Sequence, residues 1–497
     1  MNETIFEKNV NDVIDLILIY ATNIYGEEIK KHIDNPTELF ADPEFSRKFI
    51  SRGFEGFKKA QDIILESTLF LEKEIKDFEK KGNLDYNDSF QKLHYQKLVF
   101  QELADAILWS VVSEETAITN LSVKNANSGF LVDRNIQSVK LFIKQYNKEL
   151  YQFALISDLT SIVGVGDVIQ VWVDKKGVMQ WGLGEVKTGE VSKTITDLYE
   201  DDERGELTEE HLKERLKKYY LKYGQKWMKQ FERFSRQMVR SAQYKELLKE
   251  GEGIDLYFNK PKKIHELSSP DQYYTSQINS ILDEFYKKEN FIELFKFDNL
   301  VFGFIRQADD GRGEMTKRLN FKHYLYHDFI TGRWDNCCYL GEPMKQEEFE
   351  KEFTTYQKLS IHELREKVKV HFIRPIFLSG LKIQYLRDFI FRKLSIFIYF
   401  DSDEFIKNLE KRGMKVILTK KGGGDATDRD FFKIGDKFIR IEKPGDPHGW
   451  QITLGARPIL KSIFGFKTIG SVLDQIEEGL NKMNDLKTTS DKRKTAD

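Results

Sequence analysis

Apolar residues recur every three or four positions through residues 10–20 and again through 63–70, the spacing that lines one face of a helix. A longer stripe of Leu98, Phe100, Leu103, Ile107, Leu108 and Val111 predicts a helix over 89–119. Val139, Phe142, Ile143, Tyr146, Leu150 and Phe153 predict another over 135–156. Such stripes are core faces before they are cofactor pockets. Residues 125–129 (NANSG) read as a loop and a boundary. The period then shortens: 159–163 reads as a strand, and 167–173 and 178–187 as two more. Helical spacing returns over 213–249, with Trp227, Phe231, Phe234 and Met238 as its stripe.

Beyond residue 251 the pattern is that of an α+β domain with segregated elements. Residues 262–297 read as helical after a loop containing Pro261, 300–306 as a strand, and 368–378 as a strand with Pro375 near an edge. Asp401-Ser402-Asp403-Glu404 reads as a capping box opening a helix that ends at Gly413. Strands over 414–419 and 450–454, and a hairpin over 431–442 turning at Gly435-Asp436, complete the expectation. The polar residues 485–497 read as a disordered tail.

The strands around 164–189 carry the most definite chemistry. Asp174-Lys175-Lys176-Gly177 lies between them, and glycine at the third loop position suits a three-residue hairpin loop. That loop pairs Asp174 with Val178, and counting outward pairs Asp167 with Glu185. Lys187, two residues on, shares the face of Glu185. Asp167, Glu185 and Lys187 are therefore expected to converge at the end of a face formed by Ile169, Val171, Val173, Trp181 and Leu183. A two-residue loop would slip the register and separate the carboxylates. Two carboxylates on an apolar face need compensation, and a divalent cation with a preference for oxygen ligands supplies it. Two acids, a lysine and Mg²⁺ or Mn²⁺ amount to phosphodiester hydrolysis chemistry. The plainer reading makes Glu185 and Lys187 solvated strand residues. Glu149, in the helix expected before the hairpin, is a candidate third acid, and Asp158 competes with it.

Composition narrows the setting. The chain has 497 residues and a formal charge of −2, with 38 Phe, 21 Tyr and nine Pro. This length implies several domains, and the charge rules out a uniformly basic nucleic-acid coat. Charge is instead segregated: residues 197–210 carry eight acids against one arginine, and 213–249 is basic. There Lys226, Gln230, Arg233 and Gln237 form a polar row beside the apolar stripe. Either this row is an ordinary solvated face or it contacts a phosphate backbone. Cys337 and Cys338 are adjacent, a spacing that suits neither a disulfide bridge nor a zinc site. Together with the lack of a basic leader or a long apolar run, they point to a cytoplasmic protein without a membrane span. No P-loop or HExxH motif is found. Residues 420–425 (KKGGGD), His448, Arg374, Arg429 and Arg440 read as loop and surface.

Helix, strand, a hairpin bearing GVGD and GEVK, then helix resembles the PD-(D/E)XK nuclease superfamily over about residues 135–248. Val165-Gly166 stands where many members have Pro, and Phe234 stands four residues after Gln230, where one branch has Tyr. The resemblance implies an α/β restriction-endonuclease-like core of order αβββαβ. Asp167, Glu185 and the Val186 carbonyl would hold Mg²⁺ or Mn²⁺, with Lys187 assisting the attacking water. Lys226, Gln230 and Arg233 become candidates for binding nucleic acid, DNA first. The organisation expected is a helical region over 1–128, the nuclease-like domain over 129–250, and an α+β domain over 251–484 serving recognition or assembly, through self-association or a partner protein. Restriction or phage defence is the setting this analogy suggests.

Overall fold

The computed structural model describes residues 1–32, 36–81, 88–112, 118, 121, 131, 136–163, 166–186, 190, 194–195, 197–198, 208–255, 260–263, 272–288, 292–298, 300–306, 376–391, 393–400, 402–419, 433–434, 437–442, 451–454 and 466–494. The chain mixes helices with small sheets, in two compact units, Met1–Ile264 and His265–Asp497. Among the described residues, no helix is long and apolar enough to cross a membrane.

The first unit opens with helices α1 (Glu3–Leu18), α2 (Tyr20–Lys31), α3 (Pro36–Ala41), α4 (Pro43–Lys80) and α5 (Asp88–Val112). Side chains set the starts of two of them. Asn2 accepts the Ile5 N–H at 3.0 Å, and Asp42 accepts the Glu44 N–H at 2.9 Å beside Pro43. The expected apolar stripes form the core, with Val10, Val13, Ile64, Leu103, Ile107 and Leu108 fully buried. Gly56 lets α1 and α4 approach, because a Cβ there would lie 2.3 Å from the Leu16 carbonyl oxygen.

The helix expected over 135–156 divides. Residues Ile136–Tyr146 form α6, and Gln152–Ile156 form strand β1. Ser157–Leu159 is then a 3₁₀ turn, where the sequence pattern suggests the start of a strand at 159. The reason lies in burial. Phe153, Ala154, Leu155 and Ile156 are all at most 1% exposed, so this strand shows no alternation, and an unbroken apolar run suits helix or strand equally. Side chains decide between them. Asn147 Oδ1 accepts the Ala154 N–H at 2.8 Å. Gln61, buried on α4, donates to the Ala154 carbonyl at 3.0 Å and accepts the Ile156 N–H at 2.8 Å. One glutamine amide thus fills ladder positions on the outer edge of β1, and Phe153 packs its ring on Phe54 and Phe57.

β2 (Val168–Val173) and β3 (Met179–Gly184) complete an antiparallel sheet of order β1-β2-β3. The loop has the expected three residues. Val173 pairs with Met179 and Val168 with Gly184. The Asp174 N–H donates to the Val178 carbonyl at 3.0 Å, and Gly177 has φ +79°. The Asp174 carboxylate accepts the Val178 and Lys176 N–H groups at 2.9 and 2.8 Å. Those bonds, that to Val178 foremost, hold its pKa below the ordinary aspartate value. A Cβ on Gly177 would lie 3.1 Å from the Pro43 carbonyl oxygen. Gly177→Ala is therefore expected to destabilise the protein by about 1–2 kcal/mol in urea unfolding, mainly from the left-handed backbone. An unchanged unfolding free energy would contradict this account of the turn.

Gly224 (φ +61°) splits the basic helical stretch into α7 (Glu209–Tyr223) and α8 (Gln225–Glu250). The next strand, β4 (Glu252–Asp255), pairs with β5 (Lys260–Lys263) in a separate two-stranded sheet rather than with β1–β3. The strand expected to close an αβββαβ order is thus outside the three-stranded sheet. The first unit runs to Ile264, and within it α4 and α5 supply partners to the three-stranded sheet and its loops.

In the second unit, α9 (Thr275–Phe285) occupies part of the stretch expected to be helical, whose ends form β5 and β6 (Ile292–Phe297). β6, β7 (Leu300–Arg306) and β8 (Leu394–Phe400) make an antiparallel sheet, with α10 (Ile383–Ile390) before β8. α11 (Ser402–Lys411) precedes Gly413 (φ +77°), and β9 (Lys415–Thr419) follows. β11 (Lys437–Glu442) pairs with β9, β10 (Lys433–Ile434) and β12 (Gln451–Thr453). These match the expected helix, strands and hairpin. Residues 376–378 form a 3₁₀ turn, while 368–375 lie outside the described residues. So do 420–425, Cys337, Cys338, Arg374, Arg429 and His448; Arg440 lies on β11. The stretch from 485, expected as a disordered tail, continues helix α12 (Ile469–Lys494).

Candidate functional site

The sheet of the first unit ends at Val168 and Gly184, and the candidate acids lie just beyond. The Asp167 N–H donates to the Gly184 carbonyl at 2.9 Å, and its own carbonyl accepts the Ser157 N–H at 3.1 Å. Asp167 is thus held between the ends of β1 and β3. Its carboxylate crosses to the other strand, where Oδ2 accepts the Val186 N–H at 2.8 Å. Gly166 (φ +78°) makes the approach, since a Cβ there would sit 3.2 Å from the Gly184 carbonyl oxygen.

Asp167, Glu185 and Val186 are all half-buried. The hydrogen bond to Val186 brings the Asp167 carboxylate to the backbone that follows Glu185. Lys187 lies outside the described residues. The donors available here, two carboxylates and the Val186 carbonyl, are hard oxygens, the set that suits Mg²⁺ or Mn²⁺ and not a thiolate-seeking metal. Among the described residues, no three His, Cys, Asp or Glu side chains gather as a metal-holding group. A cation here would depend on the backbone carbonyl, water and substrate oxygens as well as the two acids.

Glu149 does not join them. It is exposed in the turn between α6 and β1. Gln152 pairs with Trp172, whereas Ile156 pairs with Val168, so Glu149 lies toward the opposite end of the sheet from Asp167. The helix that was to carry it inward stops at Tyr146. Asp158 instead follows Ser157, at the Asp167 end, and is half-buried. The loop after it is fixed by α5: the Asp105 carboxylate accepts the Ser161 N–H at 2.8 Å and the Ser161 hydroxyl. Asp105 is 2% exposed. The sequence offers no local sign of this clamp, because its two ends are 56 residues apart.

Lys226, Gln230 and Arg233 belong to α8, and nothing is described of the Lys226 and Arg233 side chains. The apolar stripe beside them is core. Trp227 is fully buried, stacks on Phe231 at 5.0 Å, and donates from Nε1 to Thr194 Oγ1 at 3.1 Å. With Phe234, it packs on Ile195 and on Leu198, the latter within the acidic stretch. Gln230 is half-buried, and its Oε1 has no hydrogen-bond partner among the described residues.

No family model, curated protein or solved structure matches the chain.

Proposed function

We propose that this protein is a metal-dependent nuclease, a phosphodiester hydrolase whose substrate is DNA. The observation carrying the reading is the end of the β2–β3 hairpin, where the Asp167 carboxylate bonds the backbone N–H next to Glu185. The restriction-endonuclease-like core remains part of the proposal, with β1–β3 as its sheet and α6 and α8 as its flanking helices. Asp167, Glu185 and the Val186 carbonyl would hold Mg²⁺ or Mn²⁺, which when bound supplies positive charge against a phosphate and acidifies water.

The chain's own groups divide the remaining work. Asp167 Oδ2, by accepting the Val186 N–H, would orient the backbone whose carbonyl is the proposed third metal ligand. Lys187 would donate a hydrogen bond to the attacking water or the phosphate oxygen on which charge builds. The polar row of Lys226, Gln230 and Arg233 would bind the phosphate backbone, Gln230 by donating from its amide NH₂ group. The protein would act in the cytoplasm, in restriction or phage defence, with the second unit serving recognition, self-association or a partner protein.

The deciding experiment incubates the full chain with plasmid and linear DNA in Mg²⁺, Mn²⁺ or EDTA. Cleavage is expected with either metal and none with EDTA. Binding that survives chelation without any cleavage would instead identify a nucleic-acid-binding protein, its affinity falling steeply with salt.

A further inference from the structure

Ser157 belongs to the same end of the sheet but was hidden by the helix expected over its neighbours. Its N–H bond to the Asp167 carbonyl, 3.1 Å, makes the two residues opposite members of one rung. Opposed residues on antiparallel strands project to the same face. Ser157 is 1% exposed, and its hydroxyl oxygen has no hydrogen-bond partner among the described residues.

The surrounding turn makes that hydroxyl conspicuous. The Ser157 carbonyl accepts both the Thr160 N–H at 3.0 Å and the Thr160 hydroxyl at 2.7 Å. Thr160 Oγ1 also accepts the Val163 N–H at 3.1 Å, while the Ser161 hydroxyl is taken by Asp105. Native proteins pair nearly all buried polar groups, and an exception calls for an unseen water or ion. Here the unpaired hydroxyl shares a rung with a carboxylate of the candidate centre. Mg²⁺ and Mn²⁺ sites built from few carboxylates keep several waters, each of which needs an acceptor or donor nearby.

We propose that Ser157 is a further polar group of the metal centre, its hydroxyl hydrogen-bonded to the hydration shell of a divalent cation held at Asp167 and Glu185. This inference rests on the metal-dependent reading above. It gives Ser157 a positioning role for the cation rather than a share in the fold. The two roles predict opposite effects on the metal-free protein: losing an unpaired buried hydroxyl is neutral or stabilising, whereas losing a structural bond is not.

The test is Mn²⁺ binding to the full chain, followed by calorimetry and by electron paramagnetic resonance, with melting of the metal-free protein measured alongside. Ser157→Ala and Ser157→Gly are expected to bind Mn²⁺ about 3- to 10-fold more weakly than wild type, the effect of one hydrogen bond. Metal-free Ser157→Ala should melt at or above the wild-type temperature. Wild-type Mn²⁺ affinity in both variants, alongside its loss in Asp167→Ala, would overturn the role of Ser157 and leave the metal centre standing. Weaker binding accompanied by a lower metal-free melting temperature would overturn it too, as the mark of a structural serine. A wild-type chain that binds no Mn²⁺ would overturn both the inference and the reading beneath it.

Discussion

Asp167→Asn should reduce metal-dependent DNA cleavage by on the order of 10³-fold while leaving the fold intact, and Asp167→Ala should do the same. The magnitude is that of removing a preorganised charged group from a hydrolytic centre. Asparagine is the more informative change, because its amide oxygen can still accept the Val186 N–H that Asp167 Oδ2 accepts at 2.8 Å. The strand ends then stay joined, and only the negative charge is lost. Lys187→Ala is expected to cost about 10²- to 10³-fold, chiefly in kcat, if the lysine stabilises charge formed in the transition state. Turnover at fixed metal and DNA concentration, with unfolding curves for each variant, separates chemistry from stability. Full activity in Asp167→Asn would remove Asp167 from the centre.

Gln61→Ala should lower the unfolding free energy by about 2–6 kcal/mol, a large effect for a polar substitution. Gln61 is 2% exposed, and its amide serves two β1 backbone groups, the Ala154 carbonyl and the Ile156 N–H. Truncation leaves both buried without their partner, at about 1–3 kcal/mol each. Gln61→Glu should not restore the loss, because a carboxylate cannot donate to the Ala154 carbonyl and would bury a charge. Urea unfolding measures the change, and faster hydrogen exchange at the Ile156 amide would localise it. A loss under about 1 kcal/mol would mean that water replaces the glutamine, and that the β1 edge is not closed from solvent.

These two residues mark how far the chain can be read without its fold. The hairpin was legible because its causes are local. Gly177 needs only its own backbone freedom to close a three-residue loop, and the period of two then carries the register from Asp174 and Val178 out to Val168 and Gly184. The helical stripes of α1, α4, α5 and α8 were legible for the same reason, since spacing alone declares a buried face. The second unit's β9, its β10–β11 hairpin and helix α11 also announce themselves through neighbouring turn residues.

What the sequence by itself determined is therefore the set of elements whose turns and periods are written within a few residues, including the hairpin that presents Asp167 and Glu185. The tertiary structure decided the identity of β1, whose buried run Phe153-Ala154-Leu155-Ile156 has no period to display. It also decided that Glu149 lies away from Asp167 while Ser157 lies beside it. Those outcomes depend on Gln61, more than ninety residues away, and on Asp105, 56 residues away. A side chain that completes another segment's backbone hydrogen bonds leaves no periodic trace, because the bond depends on where two distant stretches meet in space.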